Sequence, residues 1–325
     1  MDPSAHPAAR LTEKLPARVD VYEVGPRDGL QNELRIVPLE GKLRLIAALV
    51  AAGERRIEAT SFVSPRWIPQ LADAEEVLQK LPRVPGVTYS ALVPNLKGLD
   101  RARAAGLSEA AVFISASETH SKKNINKSIA EALSVAADVT RGALAAGMRV
   151  RAYLSVVWGC PYEGSVPLER VVDLCRRLAD LGIYQLSLGD TVGVGVPSQT
   201  EEILSAVTRH VPVDRLALHL HDTRGLALAN ALVGLYARVT TFDASIGGLG
   251  GCPYAPGAAG NLATEDLVNM LQRMGVETGI DLPKLVEAGE VAQELIGRKL
   301  SGKFLQAALG ERDRAHARRR TAPAQ

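Results

Sequence analysis

Short apolar runs recur along the chain, separated by longer stretches in which apolar residues return every three or four positions. The short runs are VDVYEV, RRIEATSFV, TYSALV, AAVFIS, RVRAYLSVV, YQLSLGD, RLALHLHD and TFDASIGG. Each is rich in strand-forming residues. Between them lie segments such as LEGKLRLIAALVAAG, LERVVDLCRRLADLG and PSQTEEILSAVTRH, whose spacing is helical and which often end in Gly. Repeated strand–helix units predict a parallel sheet with helices outside it. Eight strand runs fit an α/β fold closed as a (β/α)8 TIM barrel better than two doubly wound sheets.

No Pro- or Ser-rich linker breaks the alternation, so residues 19–310 read as a single catalytic barrel domain. The alternation stops after TEDLVNMLQRMG. LPKLVEAGEVAQELIG and FLQAALG then read as extra C-terminal helices, beginning at about residue 280. Residues 1–18 are expected to be a flexible N-terminal segment, and residues 311–325 a disordered basic tail.

Composition narrows the function. Lys and Arg number 38 against 36 Asp and Glu, a net charge of +2, and aromatics make up 4% of the chain. Neither figure suggests a nucleic-acid partner. No stretch approaches the ~20 apolar residues of a membrane span, and the first eighteen residues lack the pattern of a signal or transit peptide. Three cysteines, Cys160, Cys175 and Cys252, cannot all pair within the chain, and none lies in a CxxC spacing. A reducing, cytoplasmic setting is expected.

In such a barrel, chemistry gathers where strands end and the following loops begin. Strand 1 ends in EVGPRDGLQ with Arg27 and Asp28. Glu58 lies in strand 2, Asp190 closes strand 6, and strand 7 ends in HLHD with His219 and His221. Strand 8 runs into GGLGGCPYAPGAAGN, with Cys252 and Asn261. Two histidines two apart on a strand turn their imidazoles to one face, where they can grip a metal ion or simply bond each other. Asp28 and Asn261 on the same barrel face favour the metal. Their oxygen donors, with no cysteine ligand, favour Mg²⁺ or Mn²⁺, with Zn²⁺ also compatible. Arg27 can stabilise an oxygen that becomes negative, or pair with Glu58 or Asp190. Cys252 sits in a glycine-dense loop able to fold over a ligand, and a neutral thiol can donate a proton. Lys122 and Lys123, in HSKKNIN after strand 4, are placed either to meet the phosphates of a cofactor-tailed substrate or to face solvent.

VYEVGPRDGLQNE, EATSFVSPRWIPQLAD, LVPNLKG, KKNIN, GCPYEG, SLGDTVGVG, HLHDTRGLALAN and GGLGGCPYAPGAAGNLATEDLV resemble the successive signatures of the 3-hydroxy-3-methylglutaryl-CoA lyase family. The resemblance runs from about Val19 to Lys303. The family lies within a metallolyase superfamily of barrels named for an Asp–Arg–Glu set, here Asp28, Arg27 and Glu58. It implies cleavage of the acyl-CoA to acetyl-CoA and acetoacetate with Mg²⁺ or Mn²⁺. It implies metal ligation by Asp28, His219, His221 and Asn261, substrate polarisation by Arg27, and a mobile-loop role for Cys252. Ser61, Tyr153, Ser187, Asp190 and Glu265 fall on positions used around the substrate or the loop. The initial base is His219 or Asp28. A homodimer serving leucine or related branched-acid breakdown is also implied. HDTRGLALAN carries Arg224 and Leu226 where relatives often have an aromatic and a Gln, and Trp158 precedes Cys160. These departures keep a lyase for a longer 3-substituent, such as an isohexenylglutaryl-CoA lyase, as an alternative. A synthase condensing acetyl-CoA with a 2-oxoacid is the rival from another class.

Overall fold

The computed structural model describes the backbone of residues 15–252 and 255–321, and their side chains except at 251–259 and 315–321. Eight parallel strands form its centre: β1 Asp20–Glu23, β2 Arg56–Ser61, β3 Thr88–Leu92, β4 Glu109–Ser115, β5 Arg149–Ser155, β6 Gln185–Asp190, β7 Leu216–Leu220 and β8 Thr241–Ala244. Each pairs with the next in sequence, and β8 returns to β1 from Asp20↔Thr241 to Glu23↔Ala244. The expected (β/α)8 barrel is therefore closed, with no free edge.

The strands are apolar on the outside because helices cover them, as β6 illustrates with all six residues buried. The helix Leu168–Ala179 shows how the cover is made. Val171, Leu174, Cys175 and Leu178 face inward at helical spacing, while Arg176 and Asp173 pair on the opposite face. Sequence also sets the helix starts. Ser128 and Glu131 form a reciprocal capping box before Ile129–Ala145, and Asn95 accepts the Gly98 N–H at 2.8 Å before Leu96–Ala104.

Residues 15–18 and 311–321 are more ordered than the sequence suggests. Glu277 N donates to Ala17 O at 2.9 Å and Val19 N to Glu277 O at 2.9 Å. The last part of the 1–18 segment is thus tied to the barrel, while residues 1–14 lie outside the described set. The tail expected to be disordered from 311 instead continues the helix Lys303–Thr321. The stretch ERDRAHARRR contains strong helix formers and no Gly or Pro. Arg312 also reaches Glu290 of the preceding helix at 2.7 Å.

Three carboxyls are buried between β1 and the C-terminal helices. Glu23 accepts N–H groups from Gly25 and Ile246 at 2.7 and 2.9 Å and the Thr264 hydroxyl at 2.6 Å. Glu265 accepts the Gly247 N–H at 2.7 Å. Neither oxygen of Glu54 has a partner among the described residues. Burial pushes Glu23 up to about 7 and Glu265 to about 8, and burial with the nearby Glu23 raises Glu54 well above the usual range. A carboxyl with a raised folded pKa contributes stability that is complete below its unfolded value and is lost as pH rises through the folded one. The unfolding temperature should therefore fall from about pH 5, just above the unfolded carboxyl value, to about pH 8, where Glu265 has titrated in the folded protein. The slope should approach ~1.4 kcal/mol per pH unit for each carboxyl protonated only in the folded state. Thermal unfolding across that range, with Glu265→Gln expected to flatten the slope, checks this; a midpoint that rises with pH would contradict it.

Candidate active site

Arg27 and Asp28 are delivered by the turn that ends β1. Pro26 and the glycines on either side of the pair bend Gly25–Gly29 into one π-helical turn. Its N–H groups at Arg27, Asp28 and Gly29 converge on the Val24 carbonyl at 3.1, 2.7 and 3.3 Å. The turn lays both side chains across the barrel mouth. Arg27 Nε donates to Glu58 Oε2 at 2.6 Å and Nη1 to Asp28 Oδ1 at 2.5 Å. The Tyr153 hydroxyl donates to the same Glu58 oxygen at 3.1 Å. Arg27 thus pairs with Glu58 and Asp28, while Asp190 is not its partner.

His219, in β7, and His221, just beyond it, point to one face as strand alternation requires. Their Nε2 atoms are 3.3 Å apart, and His219 Nε2 is 4.0 Å from Asp28 Oδ2. His221 is held beside Asn261 by an isolated β-bridge. The Asn261 amide donates to Asp28 Oδ2 at 2.8 Å and to Leu249 O at 3.1 Å. Atoms sharing one ion at about 2.1 Å stand about 3 Å apart when adjacent and about 4.2 Å when opposite. The observed separations fit that span. Among the described residues, Asp28, His219 and His221 form the one cluster of three such groups able to hold a metal.

The protonation states suit the same use. Burial alone would raise Asp28, but Arg27 and the two histidines bring it down to about 2. Burial, reinforced by His219, pushes His221 down to about 3, so its imidazole is neutral at physiological pH. Burial would lower Arg27, yet Glu58 and Asp28 outweigh it and hold the guanidinium charged.

A cavity of about 320 Å³ opens over these groups, lined by Arg27, Asp28, Ser61, Tyr153, His219 and His221 together with His120 and Thr191. Other residues singled out from sequence fall outside its wall. Ser187 donates to Asp243 inside the barrel at 2.8 Å. Asp190 spends its oxygens on the N–H groups of Val194 and Gly195, at 3.0 and 2.9 Å, and so shapes the loop after β6. Arg224 holds the same loop through the carbonyls of Val192 and Gly193, at 2.7 and 3.1 Å. Glu265 supports Gly247 at the root of the glycine-rich segment.

Lys122 and Lys123 lie on the helix Glu118–Ile125 rather than in a loop, because Ser117 caps it and Asn126, at φ 53°, ends it. Lys123 lines an adjoining cavity of about 340 Å³ that shares Val63, Pro94, Phe113, Asn124 and Ile125 with the first. Its Nζ stands 4.6 Å from the Tyr162 ring.

The side chain of Cys252 lies outside the described residues; its backbone, in Gly251–Cys252, pairs with Ala255–Ala259. Glycine is required just before it. Gly250 has φ +108°, and a Cβ there would stand 2.8 Å from the Asn261 amide nitrogen. Cys160 is a structural thiol, receiving the Tyr162 and Glu163 N–H groups at 3.4 Å each and lying 3.0 Å from the Ser117 hydroxyl. Cys175 is fully buried, and burial raises its pKa.

Sequence reasoning missed the polar interior beneath the site. Arg151, at the centre of β5, is fully buried and pairs with Asp243 of β8. It also donates to Gln185 and Tyr153, at 2.9 and 2.8 Å, and stacks 4.0 Å above the Tyr22 ring. The available signal was a charge in the middle of RVRAYLS and of TFDAS, in strands whose two faces are both covered.

A closed (β/α)8 barrel with a carboxylate–histidine–histidine cluster at the mouth of its C-terminal face defines a barrel enzyme with a candidate metal site. A family model described as HMGL-like matches residues 18–292, and the chain belongs to that family. It is 52% identical over 294 residues to the mitochondrial hydroxymethylglutaryl-CoA lyase of Gallus gallus, covering 90% of this chain and 99% of that one. It is 50% identical over 291 residues to hydroxymethylglutaryl-CoA lyase YngG of Bacillus subtilis, covering 90% and 97%. The crystal structure of the Bacillus subtilis HMG-CoA lyase superposes with a TM-score of 0.89 at 50% identity, covering 90% of this chain and 98% of that one. An Acinetobacter baumannii HMG-CoA lyase in complex with coenzyme A and 3-methylmalate superposes with a TM-score of 0.85 at 40% identity, covering 90% and 95%.

Proposed function

We propose that this chain cleaves 3-hydroxy-3-methylglutaryl-CoA to acetyl-CoA and acetoacetate. The convergence of Asp28, His219 and His221 beside Arg27 carries the reading, and half of the sequence being identical to named lyases supports it. Asp28, His219, His221 and Asn261 are the residues that would hold the ion, with Mg²⁺ or Mn²⁺ suited to the donor set. When bound, a divalent ion supplies Lewis-acid chemistry, polarising a substrate oxygen and making a hydroxyl more acidic.

The residues of the chain account for the remaining work. The substrate's C3 hydroxyl proton passes to a base at the edge of the ion site, for which Asp28 is the candidate, since His219 turns Nδ1 to Asp243 and Nε2 to the ion site. The C2–C3 bond then breaks, C3 becomes the ketone of acetoacetate, and C2 carries the electron pair as the acetyl-CoA enolate. Arg27 balances that charge from a buried position, its own orientation held by Glu58. Cys252 returns a proton to C2. Ser61 and Tyr153 line the acyl cavity, and the CoA tail runs along the adjoining cavity, where Lys123, but not Lys122, is in the lining and meets phosphate. The enzyme works as a homodimer in branched-acid breakdown, and a cytoplasmic location is part of the proposal.

Incubating the purified chain with 3-hydroxy-3-methylglutaryl-CoA and homologues of longer C3 substituent tests the activity and its preference. Acetyl-CoA and acetoacetate should form. Release of free thiol from acetyl-CoA plus a 2-oxoacid, without cleavage of the glutaryl thioester, would overturn the reading in favour of a synthase. Cys252→Ala should lower kcat at least ~100-fold, the scale of one lost proton donor. Cys160→Ala and Cys175→Ala should stay within a few-fold of the parent, and equal losses in all three would contradict the assignment.

A further inference from the structure

The register between β7 and β8 sets His219 opposite Asp243. Their side chains meet inside the barrel, with His219 Nδ1 3.2 Å from Asp243 Oδ2. That carboxylate is itself fixed. Ser187 donates to Oδ2 at 2.8 Å, and the Arg151 guanidinium pairs with Oδ1. Arg151 in turn cannot swing away, because Gln185 and Tyr153 hold it at 2.9 and 2.8 Å. Arg151, Asp243 and Ser187 are all buried, so the orientation holds without solvent.

An ionised carboxylate only accepts hydrogen bonds, so Nδ1 of His219 must carry a proton, and in the neutral ring that ligates a metal the lone pair lies on Nε2. Nε2 is the atom that faces His221 and Asp28. His221 has no such support: its Nδ1 has no hydrogen-bond partner among the described residues. The two ligand histidines therefore differ in what holds them.

We propose that Asp243, anchored by Arg151, is a positioning residue that locks His219 in the Nδ1–H tautomer and presents Nε2 as a preformed metal donor. The inference rests on the reading of the site as a divalent-ion centre. Asp243 touches neither substrate nor reacting atoms; it acts through His219. Outer partners of this kind typically set metal affinity by 10- to 100-fold.

The experiment uses the full chain, stripped of metal, with Mn²⁺ as the probe and its binding followed by the electron paramagnetic resonance of the free ion. Asp243→Asn should weaken Mn²⁺ binding by about 10- to 100-fold. Because that variant leaves Arg151 buried without its carboxylate, the double variant Asp243→Asn with Arg151→Gln is made beside it, and metal-free thermal unfolding checks that it folds. It should show the same loss. Nitrogen NMR of the histidine-labelled, metal-free parent supplies a readout that needs no variant: His219 should carry its proton on Nδ1. Mn²⁺ affinity within twofold of the parent in a folded variant, or an Nε2–H tautomer in the parent, overturns the proposal. A parent that binds no Mn²⁺ overturns it together with the metal-site reading, whereas equal binding by parent and variants defeats the positioning role alone.

Discussion

Arg27→Gln should lower kcat about 10²- to 10³-fold, with a matching fall in kcat/KM. That is the usual cost of removing one preorganised donor from developing negative charge. Arg27 is 6% exposed, and its guanidinium is held by two carboxylates. It therefore needs no reorganisation when the enolate forms, and little water competes with it. Removing the charge also leaves Glu58 and Asp28 facing each other across the mouth. A stability loss of a few kcal/mol is expected beside the kinetic one, and circular dichroism separates the two. Arg27→Lys should recover only part of the rate, because an ammonium cannot reach Glu58 and Asp28 through a planar fork. Steady-state cleavage kinetics provide the check, and a glutamine variant within tenfold of the parent would remove Arg27 from the chemistry.

Chelation should have a still larger effect. An ion that polarises the substrate supplies several kcal/mol of transition-state stabilisation, or three or more orders of magnitude at ~1.36 kcal/mol per tenfold. Dialysis against a chelator should abolish cleavage, and Mg²⁺ or Mn²⁺ should restore it. The protein should remain folded throughout, since the barrel closes through backbone pairing that the metal ligands do not provide. His221→Ala should require far more metal for half-maximal rate, because it removes one of three converging donors. Full activity after chelation would end the proposed mechanism, whatever the acyl preference.

What the sequence determined by itself was local and periodic. Eight apolar runs between helical stretches specify the barrel because a parallel strand covered on both sides must be apolar throughout. The spacing of His219 and His221 on one strand fixes a shared face, and Pro and Gly around Arg27 and Asp28 fix a tight turn at a strand end. The motifs of the glycine–cysteine segment and HLHD pointed to the family whose model matches residues 18–292.

Tertiary structure alone decided which residues meet across the barrel. Asp28 reaches His219 from the turn after β1, 191 positions earlier in sequence, and Asn261 reaches Asp28 across 233 positions. The register of β7 on β8 put Asp243 behind His219, and the register of β5 on β6 set Arg151 beside Gln185. It also kept Asp190 and Ser187 off the cavity wall and gave Lys123 to the neighbouring cavity. The terminal helix continues past residue 310 on its own helix-forming residues, and tertiary structure adds the Arg312–Glu290 contact. The physical reason is the same in each case. Periodicity records which face of an element is covered, whereas the identity of the group on the other side depends on strand register, which closure of the whole barrel imposes.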